Sequence, residues 1–394
     1  MRDARAWRRA LLFLGSQCAT LFGSTLVQMA IVWKAAQETA SGMWVAAFSV
    51  AAHLPQFLIS LPAGAWADRF SLKALIVGAD GFIAAATLAM MLLFPRLEAR
   101  AALYPALIAL SALRSLGAGV QTPAVNAALP GLAPPGALMR LNGLNAAMQA
   151  LVQFAAPMAA GALLALCSLR EAMAVDVVTA ALGVGMLAAL PLPRGAARAN
   201  AQAGVGAGLR YLRGRREIRN VLIVYALFVL LTAPAGFLSQ LLVQRRYGGG
   251  YARMTAAELA GFAGMGLGGA LTGAWGGFRR ERALAIALAA FGAMAAGMAL
   301  ARRFSIYLML MGLYGVAMAA AQIAITTMLQ ERAAPEMRGR AFGLMGALYA
   351  GALPLGMALF GPMADVVSLE AIMLASGCAL MALAAWVARG AENG

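Results

Sequence analysis

Three charged residues stand inside long apolar stretches of this sequence: Asp80, Arg114 and Asp176. A charge within a membrane segment is costly, so such residues usually face a bundle interior or a water-filled cavity, where they pair or move protons. Asp80 and Arg114 could form such a pair, and protonation of the carboxylate would break it. We hypothesise that Asp80 or Asp176 carries an exchangeable proton. Arg114 either belongs to the same system or is one half of a structural ion pair.

Neutral polar side chains also occur within the apolar stretches. Those that could line a polar cavity are Gln28, His53, Gln149, Gln153, Gln240 and Gln322. Such groups can equally well hydrogen-bond a neighbouring helix, and His53 is more typical of helix packing than of proton transfer.

Several classes of chemistry are excluded by what the sequence lacks. Cys18, Cys167 and Cys378 are far apart and have no metal-ligand spacing, and His53 is the single histidine, so no metal site or cofactor is expected. There is no H-E-x-x-H sequence and no G-x-x-x-x-G-K-[ST] phosphate loop, which argues against a metalloenzyme and an ATP-driven pump. The chain is therefore not expected to be an enzyme.

The composition is that of an integral membrane protein. Hydrophobic residues make up 62% of the chain and charged residues 12%, whereas a soluble domain has about 25% charged residues. Runs of about 20 apolar residues are long enough to cross a bilayer as helices. Twelve such runs are predicted: Ala10–Trp33, Met43–Ala65, Ala74–Phe94, Ala101–Val125, Leu141–Leu166, Ala172–Leu190, Val221–Val243, Leu259–Phe278, Ala283–Ala301, Phe304–Leu329, Ala341–Ala364 and Ile372–Ala388.

The basic residues indicate the orientation. The chain has a net charge of +16, but its basic residues lie in short gaps between apolar runs and form no basic face. Nucleic acid is therefore not an expected partner. Lys and Arg are more numerous on the side of the N-terminus, which predicts that both termini are cytoplasmic. We expect a multi-pass protein of the bacterial inner membrane.

The sequence also predicts two halves. The Arg-rich stretch 192–218 separates an N-terminal six-helix bundle, residues 1–191, from a C-terminal one, residues 219–394. Pro135, Arg140 and Gly161 recur 200 residues later as Pro335, Arg340 and Gly361. A parallel repeat of this kind is found in transporters that rock two halves about a central site.

The segment after the second run reads Gly64-Ala65-Trp66-Ala67-Asp68-Arg69-Phe70-Ser71-Leu72-Lys73. It resembles the G-x-x-x-D-R-x-G-R-K loop of the major facilitator superfamily, with Ser71 in place of the second glycine and Lys73 retained from the basic end. The resemblance implies a conformational switch formed by Gly64, Asp68, Arg69 and Lys73. In it, Asp68 holds the start of the eleventh helix, near Arg340, while the cytoplasmic side is closed.

Further segments extend the resemblance. Ala156-Pro157-Met158-Ala159-Ala160-Gly161 is similar to the G-P-x-x-G-G sequence of superfamily antiporters, in which Pro157 and Gly161 are retained. Residues 60–80, 113–134 and 328–365 resemble the macrolide-efflux branch of the drug exporters, and the last of these includes the loop residues Glu331, Arg338 and Arg340.

The resemblance implies proton-driven export of a bulky, amphipathic, macrolide-like molecule by alternating access, by a monomer in the lipid bilayer. A dedicated exporter of an endogenous metabolite such as a siderophore is the main alternative. A non-transporting membrane sensor is a third, which the buried charges disfavour.

Overall fold

The computed structural model describes residues 2–98, 102–133, 137–190, 215–274, 280–333 and 338–392. Within these ranges the chain forms helices joined by short turns, and no strand is present. The helices are α1 (Arg2–Thr39), α2 (Gly42–Arg69), α3 (Leu72–Glu98), α4 (Leu103–Leu132), α5 (Leu138–Leu166), α6 (Leu169–Ala188), α7 (Arg216–Phe237), α8 (Ser239–Tyr247), α9 (Tyr251–Ala274), α10 (Arg280–Leu300), α11 (Phe304–Arg332), α12 (Arg338–Val366) and α13 (Leu369–Glu392).

The helices confirm the predicted all-α membrane class. Eleven segments are long and apolar enough to cross a membrane, with α7 and α8 together forming one of them, Arg216–Tyr247. The remaining predicted span corresponds to α9, which at 24 residues is also long enough. Its many glycines and Glu258 lower its mean hydropathy. The prediction placed this span at Leu259–Phe278, so the helix begins eight residues earlier than expected.

The chain divides into two compact units. The first unit contains Met1–Ala35 and Phe48–Ala201, and the second contains Ala36–Ala47 and Gln202–Gly394. The turn between α1 and α2 therefore belongs to the second unit. Most of the predicted linker, residues 192–214, lies outside the described residues, while 215 precedes α7 and 216–218 form its start. The division into bundles at 1–191 and 219–394 stays a prediction.

One apolar core of the first unit joins the six helices α1 to α6, and Ala67 is its member from α2. Phe13 of α1, Ile76 of α3, Ala128 of α4, Leu141 of α5 and Leu187 of α6 are all fully buried in one cluster. Interiors of this kind are close-packed with few voids, so a change in the position of one helix affects its neighbours. This cluster fixes the register of the helices that carry Asp80, Arg114 and Asp176.

In the second unit, glycines allow helix backbones to approach closely. A Cβ added at Gly264 of α9 would lie 1.9 Å from the carbonyl oxygen of Gly312 in α11, and one at Gly315 would lie 2.2 Å from that of Gly261. Small residues at helix contacts are typical of membrane bundles, in which packing rather than water exclusion joins the helices. The glycines that weaken the hydropathy of α9 therefore serve its contact with α11.

Candidate functional site

A buried ion pair lies in the first unit between α4 and α6. Nη1 of Arg114 donates to Oδ2 of Asp176 and to the hydroxyl of Thr87 on α3. Nη2 of Arg114 donates to the carbonyl oxygen of Ser24 at 3.1 Å and to its hydroxyl at 3.0 Å. Arg114 is 3% exposed and Asp176 1% exposed. Four helices thus supply one charge-compensated network.

Glycines on two of these helices make the network possible. A Cβ at Gly23 of α1 would lie 2.9 Å from Cα of Asp176, and one at Gly117 of α4 would lie 2.5 Å from the side chain of Ile83 in α3. A larger residue at either position would push apart the helices that hold the pair. The sequence signal for this site was the charges alone, and the glycines explain how the helices bring them together.

Asp80 of α3 is buried beside this network but is not part of the ion pair. Its Oδ1 accepts a hydrogen bond of 2.6 Å from Nε2 of Gln121. Its Oδ2 is buried and has no hydrogen-bond partner among the described residues. The Asp80–Arg114 pair considered from the sequence is therefore not the one observed, because Arg114 is occupied by Asp176. The sequence analysis missed Gln121, whose amide also lies 3.5 Å from Oε1 of Gln17.

A second polar cluster lies in the second unit at α8, α9 and α11. Nε2 of Gln240 donates to Oε1 of Glu258 at 2.8 Å. Gln240 is 3% exposed and Tyr307 is fully buried. Oε1 of Gln240 and the hydroxyl of Tyr307 have no hydrogen-bond partner among the described residues. Gln240 was predicted as a cavity residue, whereas Glu258 was missed because the predicted span began one residue after it.

A carboxylate at the end of α12 caps the start of α2. Asp365 accepts hydrogen bonds from the hydroxyl of Ser41 at 2.7 Å and from the backbone N–H groups of Gly42 at 2.7 Å and Met43 at 2.9 Å. Nη2 of Arg245 donates to the same carboxylate at 2.8 Å. All these residues belong to the second unit. No local sequence pattern indicates this cap, since Asp365 lies more than 300 residues after Ser41, Gly42 and Met43.

The predicted switch residues are only partly described. Gly64, Asp68 and Arg69 lie in the last turns of α2, Arg69 is exposed, and the side chain of Asp68 lies outside the described residues. Nζ of Lys73 donates to the carbonyl oxygens of Ala188 at 2.6 Å and Leu190 at 3.0 Å. Lys73 therefore caps the C-terminal end of α6, where a cation is favourable. The role of the four residues as a switch stays a prediction.

The corresponding loop of the second unit is described at one end. Glu331 forms an ion pair with Arg280 at 3.2 Å, beside a second pair between Arg332 and Glu281. The side chains of Arg338 and Arg340 lie outside the described residues. Pro157 and Gly161 lie within α5 and are buried.

The other predicted cavity residues fall into two groups. Gln149 and Gln153 are exposed on one face of α5, one helical turn apart. Three are half-buried: Gln28, His53 and Gln322. Nε2 of Gln28 is buried with no hydrogen-bond partner among the described residues, Nδ1 of His53 lies 2.8 Å from the Ser49 carbonyl oxygen, and Gln322 lies close to Tyr225. The bond of His53 within its own helix agrees with a packing role.

Comparisons with known proteins place these clusters in a family context. The family model described as Major Facilitator Superfamily matches residues 13–357. Macrolide efflux protein A of Streptococcus pyogenes is 26% identical over 376 residues, which are 93% of this chain and 92% of that protein. The protein of the same name from Enterococcus faecalis is 25% identical over 321 residues, 79% of this chain and 98% of the relative.

Solved transporter structures share the fold. An inward-facing bacterial homologue of the iron transporter ferroportin has a TM-score of 0.74 at 17% identity, covering 97% of this chain and 98% of the other. The inward-open xylose transporter XylE from E. coli has a TM-score of 0.70 at 14% identity, covering 95% of each chain. At these identities the likeness shows the fold alone.

Proposed function

Because this chain belongs to the major facilitator superfamily, a family of membrane transporters and not of enzymes, we propose that it is a proton-coupled exporter of bulky amphipathic molecules of the macrolide type. The export direction and the substrate class are supported by the two relatives named macrolide efflux protein A, of which the first covers nearly the whole chain. The proton coupling rests on the buried acids of the first unit.

Asp80 is the observation that carries the proposal. It is 4% exposed, and one of its carboxylate oxygens is buried with no partner among the described residues. Its other oxygen is held by the neutral amide of Gln121, and not by a cation. A carboxyl group in this setting is stable when protonated, because an unpaired buried charge is costly. Asp176, by contrast, is compensated by Arg114.

We assign different roles to these two acids. Asp80 takes up and releases the coupling proton, while the Arg114–Asp176 pair holds α4 and α6 together and responds to the charge on Asp80 nearby. Of the two acids that the sequence analysis considered as proton carriers, Asp80 and Asp176, this assignment selects Asp80. The protein would work in the bacterial inner membrane with both termini cytoplasmic, as the distribution of basic residues favours.

The decisive experiment is efflux of radiolabelled erythromycin from pump-deficient bacteria that express this chain, with and without a protonophore. We expect efflux above the empty-vector control that the protonophore abolishes. Absence of efflux, with the protein shown to be in the membrane, would reject the macrolide substrate. Efflux that persists with the protonophore would reject the proton coupling.

Variants tested in the same efflux assay show whether Asp80 carries the coupling proton. Asp80→Asn should abolish proton-driven efflux, because the amide cannot release a proton while it keeps the size and hydrogen-bonding capacity of the side chain. The exposed Glu217 of α7 provides the control, and Glu217→Gln should transport like the wild type. Full proton-driven efflux by Asp80→Asn would contradict the assignment.

A further inference from the structure

Glu258 is a membrane-helix carboxylate that the proposed mechanism does not use. It lies on α9, seven residues after the start of the helix at Tyr251, which places it about 10 Å along the helix axis. Its one hydrogen bond among the described residues comes from Gln240, a neutral amide. An acidic side chain at such a position is a candidate for function by default.

The positive side chains around Glu258 are turned elsewhere. Arg253, in the first turn of α9, donates to the carbonyl oxygen of Tyr247 and lies over the ring of Phe304. On α8, Arg245 pairs with Asp365, and Arg246 pairs with Glu370. Among the described residues, no Lys or Arg forms an ion pair with Glu258.

Two buried polar atoms lie on the helices next to this carboxylate, α8 and α11. Oε1 of Gln240 and the hydroxyl of Tyr307 belong to side chains that are 3% and 0% exposed, and neither atom has a hydrogen-bond partner within the described parts of the chain. Tyr307 is close enough to Glu258 for the two groups to interact electrostatically. The hydroxyl of Ser239 donates to the carbonyl oxygen of Gly236 at 2.7 Å and also lies close to the hydroxyl of Tyr307.

This donor set suits one small cationic ligand. Glu258 is half-buried, and a carboxylate that is partly removed from water without a positive partner is stabilised when it takes up a proton or a cation. Ca²⁺ and Mg²⁺ take six or more oxygen ligands, including carboxylates, and within the described residues no group of three or more His, Cys, Asp or Glu side chains is placed to hold a metal. One carboxylate, one amide oxygen and one hydroxyl fall short of such a shell.

We propose that Glu258 binds an exchangeable proton and, with Gln240 and Tyr307, forms a second protonation site in the second unit. When Glu258 is protonated, its hydroxyl can donate to the free Oε1 of Gln240 or to the oxygen of Tyr307. When it is ionised, the hydroxyl of Tyr307 can turn to donate to the carboxylate. Oε1 of Gln240 and the hydroxyl of Tyr307 can therefore each form a hydrogen bond with Glu258 in one of its two protonation states. That this proton helps to drive export rests on the proposed function above.

The first test detects protonation of Glu258 directly and does not depend on transport. Infrared difference spectra between acid and alkaline pH report protonated carboxyl groups in purified protein reconstituted in phosphatidylethanolamine–phosphatidylglycerol vesicles. We expect a carboxyl band that Glu258→Gln removes and that Glu217→Gln, at an exposed site, retains. An unchanged band in Glu258→Gln would overturn the proposal. A band that responds to sodium chloride but not to choline chloride would also overturn it, in favour of a sodium site.

A second variant keeps the proposal testable if Glu258→Gln does not fold. Tyr307→Phe removes the hydroxyl that assists the ionised carboxylate, so the midpoint pH of the same band should rise. The sign follows because losing a donor to the charged form favours the protonated form. An unchanged midpoint in Tyr307→Phe would contradict the role of this hydroxyl and the geometry of the site.

The third test connects the site to transport. In the same vesicles, Glu258→Gln should keep energy-independent exchange of radiolabelled erythromycin and lose uptake driven by an imposed pH gradient. A merely structural role would reduce both activities together, and that outcome would overturn the coupling part of the proposal. If the wild type shows neither activity, the proposed function fails, whereas the infrared test of Glu258 still stands by itself.

Discussion

The Arg114–Asp176 network of the first unit and the Glu258–Gln240 contact of the second both place a carboxylate inside a helix bundle, but they neutralise it differently. Asp176 accepts hydrogen bonds from the guanidinium of Arg114 and the hydroxyl of Thr87, and the same guanidinium also donates to Ser24. The described residues supply Glu258 with one hydrogen bond, from the amide of Gln240. The charge of ionised Asp176 is neutralised by Arg114. The charge of ionised Glu258 is neutralised only when a proton or another cation binds.

This difference distinguishes an ion pair that holds helices together from a carboxylate that can change its protonation state. A buried pair loses several kcal/mol if one partner is removed, because the remaining charge stays uncompensated. Such a pair resists protonation and is suited to joining helices. A carboxylate that faces only neutral groups can change its charge without leaving another charge unpaired. Asp80, which is held by Gln121 alone, follows the second pattern inside the first unit.

The largest expected effect tests this contrast directly. Asp176→Asn should destabilise the protein by about 3–5 kcal/mol, because it leaves the charge of Arg114 buried without a carboxylate. Glu258→Gln should change the free energy of unfolding by no more than about 1 kcal/mol, since an amide replaces a group that has no ion-pair partner. Thermal unfolding in detergent, followed by circular dichroism, measures both.

The double variant Arg114→Met, Asp176→Leu serves as the control for that prediction. It removes both charges, so it should recover much of the stability lost in Asp176→Asn. Equal destabilisation by Asp176→Asn and Glu258→Gln would mean that the two carboxylates do the same work, and the comparison would fail.

The sequence predicted the helices and the charges of the first unit better than those of the second. Asp80, Arg114 and Asp176 lie within strongly apolar runs, so composition alone reveals them. Glu258 lies in a helix that glycines make weakly apolar, and the predicted start at Leu259 excluded it. Partners such as Gln121 and Asp365 depend on which helices are neighbours, which no local pattern contains.

The contact between α9 and α11 sharpens the comparison, because it brings Glu258 and Tyr307 together. Gly264→Ala would place a Cβ 1.9 Å from the backbone carbonyl of Gly312, and overpacking of this kind costs about 1–3 kcal/mol. Gly266, on the same helix, has open space at its Cβ position, so Gly266→Ala should be neutral or stabilise by up to about 1 kcal/mol. Thermal unfolding of the two variants measures the difference.

A shift of α9 should also change the infrared band of Glu258. Gly264→Ala should displace the carboxyl band of Glu258, while Gly266→Ala should leave it unchanged. If both alanine variants behaved alike in stability and in the spectrum, the glycine contact would not be what positions the second protonation site.

Asp365 offers a smaller effect within the second unit. Unlike Glu258, it has a cationic partner in Arg245 and also caps two backbone N–H groups of α2. Asp365→Ala should cost about 0.5–2 kcal/mol, the range for loss of a helix N-cap. Ser41→Ala removes one donor to the same carboxylate and should cost less. A stability loss in Ser41→Ala as large as that in Asp365→Ala would show that the cap itself contributes little.

The smallest effect concerns a cation at the edge of the first unit. Lys73→Met removes the ammonium that caps the carbonyl oxygens of Ala188 and Leu190, and should cost about 0.3–1 kcal/mol at low salt. Arg170→Gln, at the opposite end of the same helix, is the matched control, because a cation near a helix N-terminus is unfavourable and its removal should not destabilise. Added salt should reduce the stability loss caused by Lys73→Met. The stability loss caused by Asp176→Asn, at a buried site, should not depend on salt. A salt dependence shared by both would imply that solvent reaches Arg114, and the distinction between the holding pair and the switching carboxylates would then lose its physical basis.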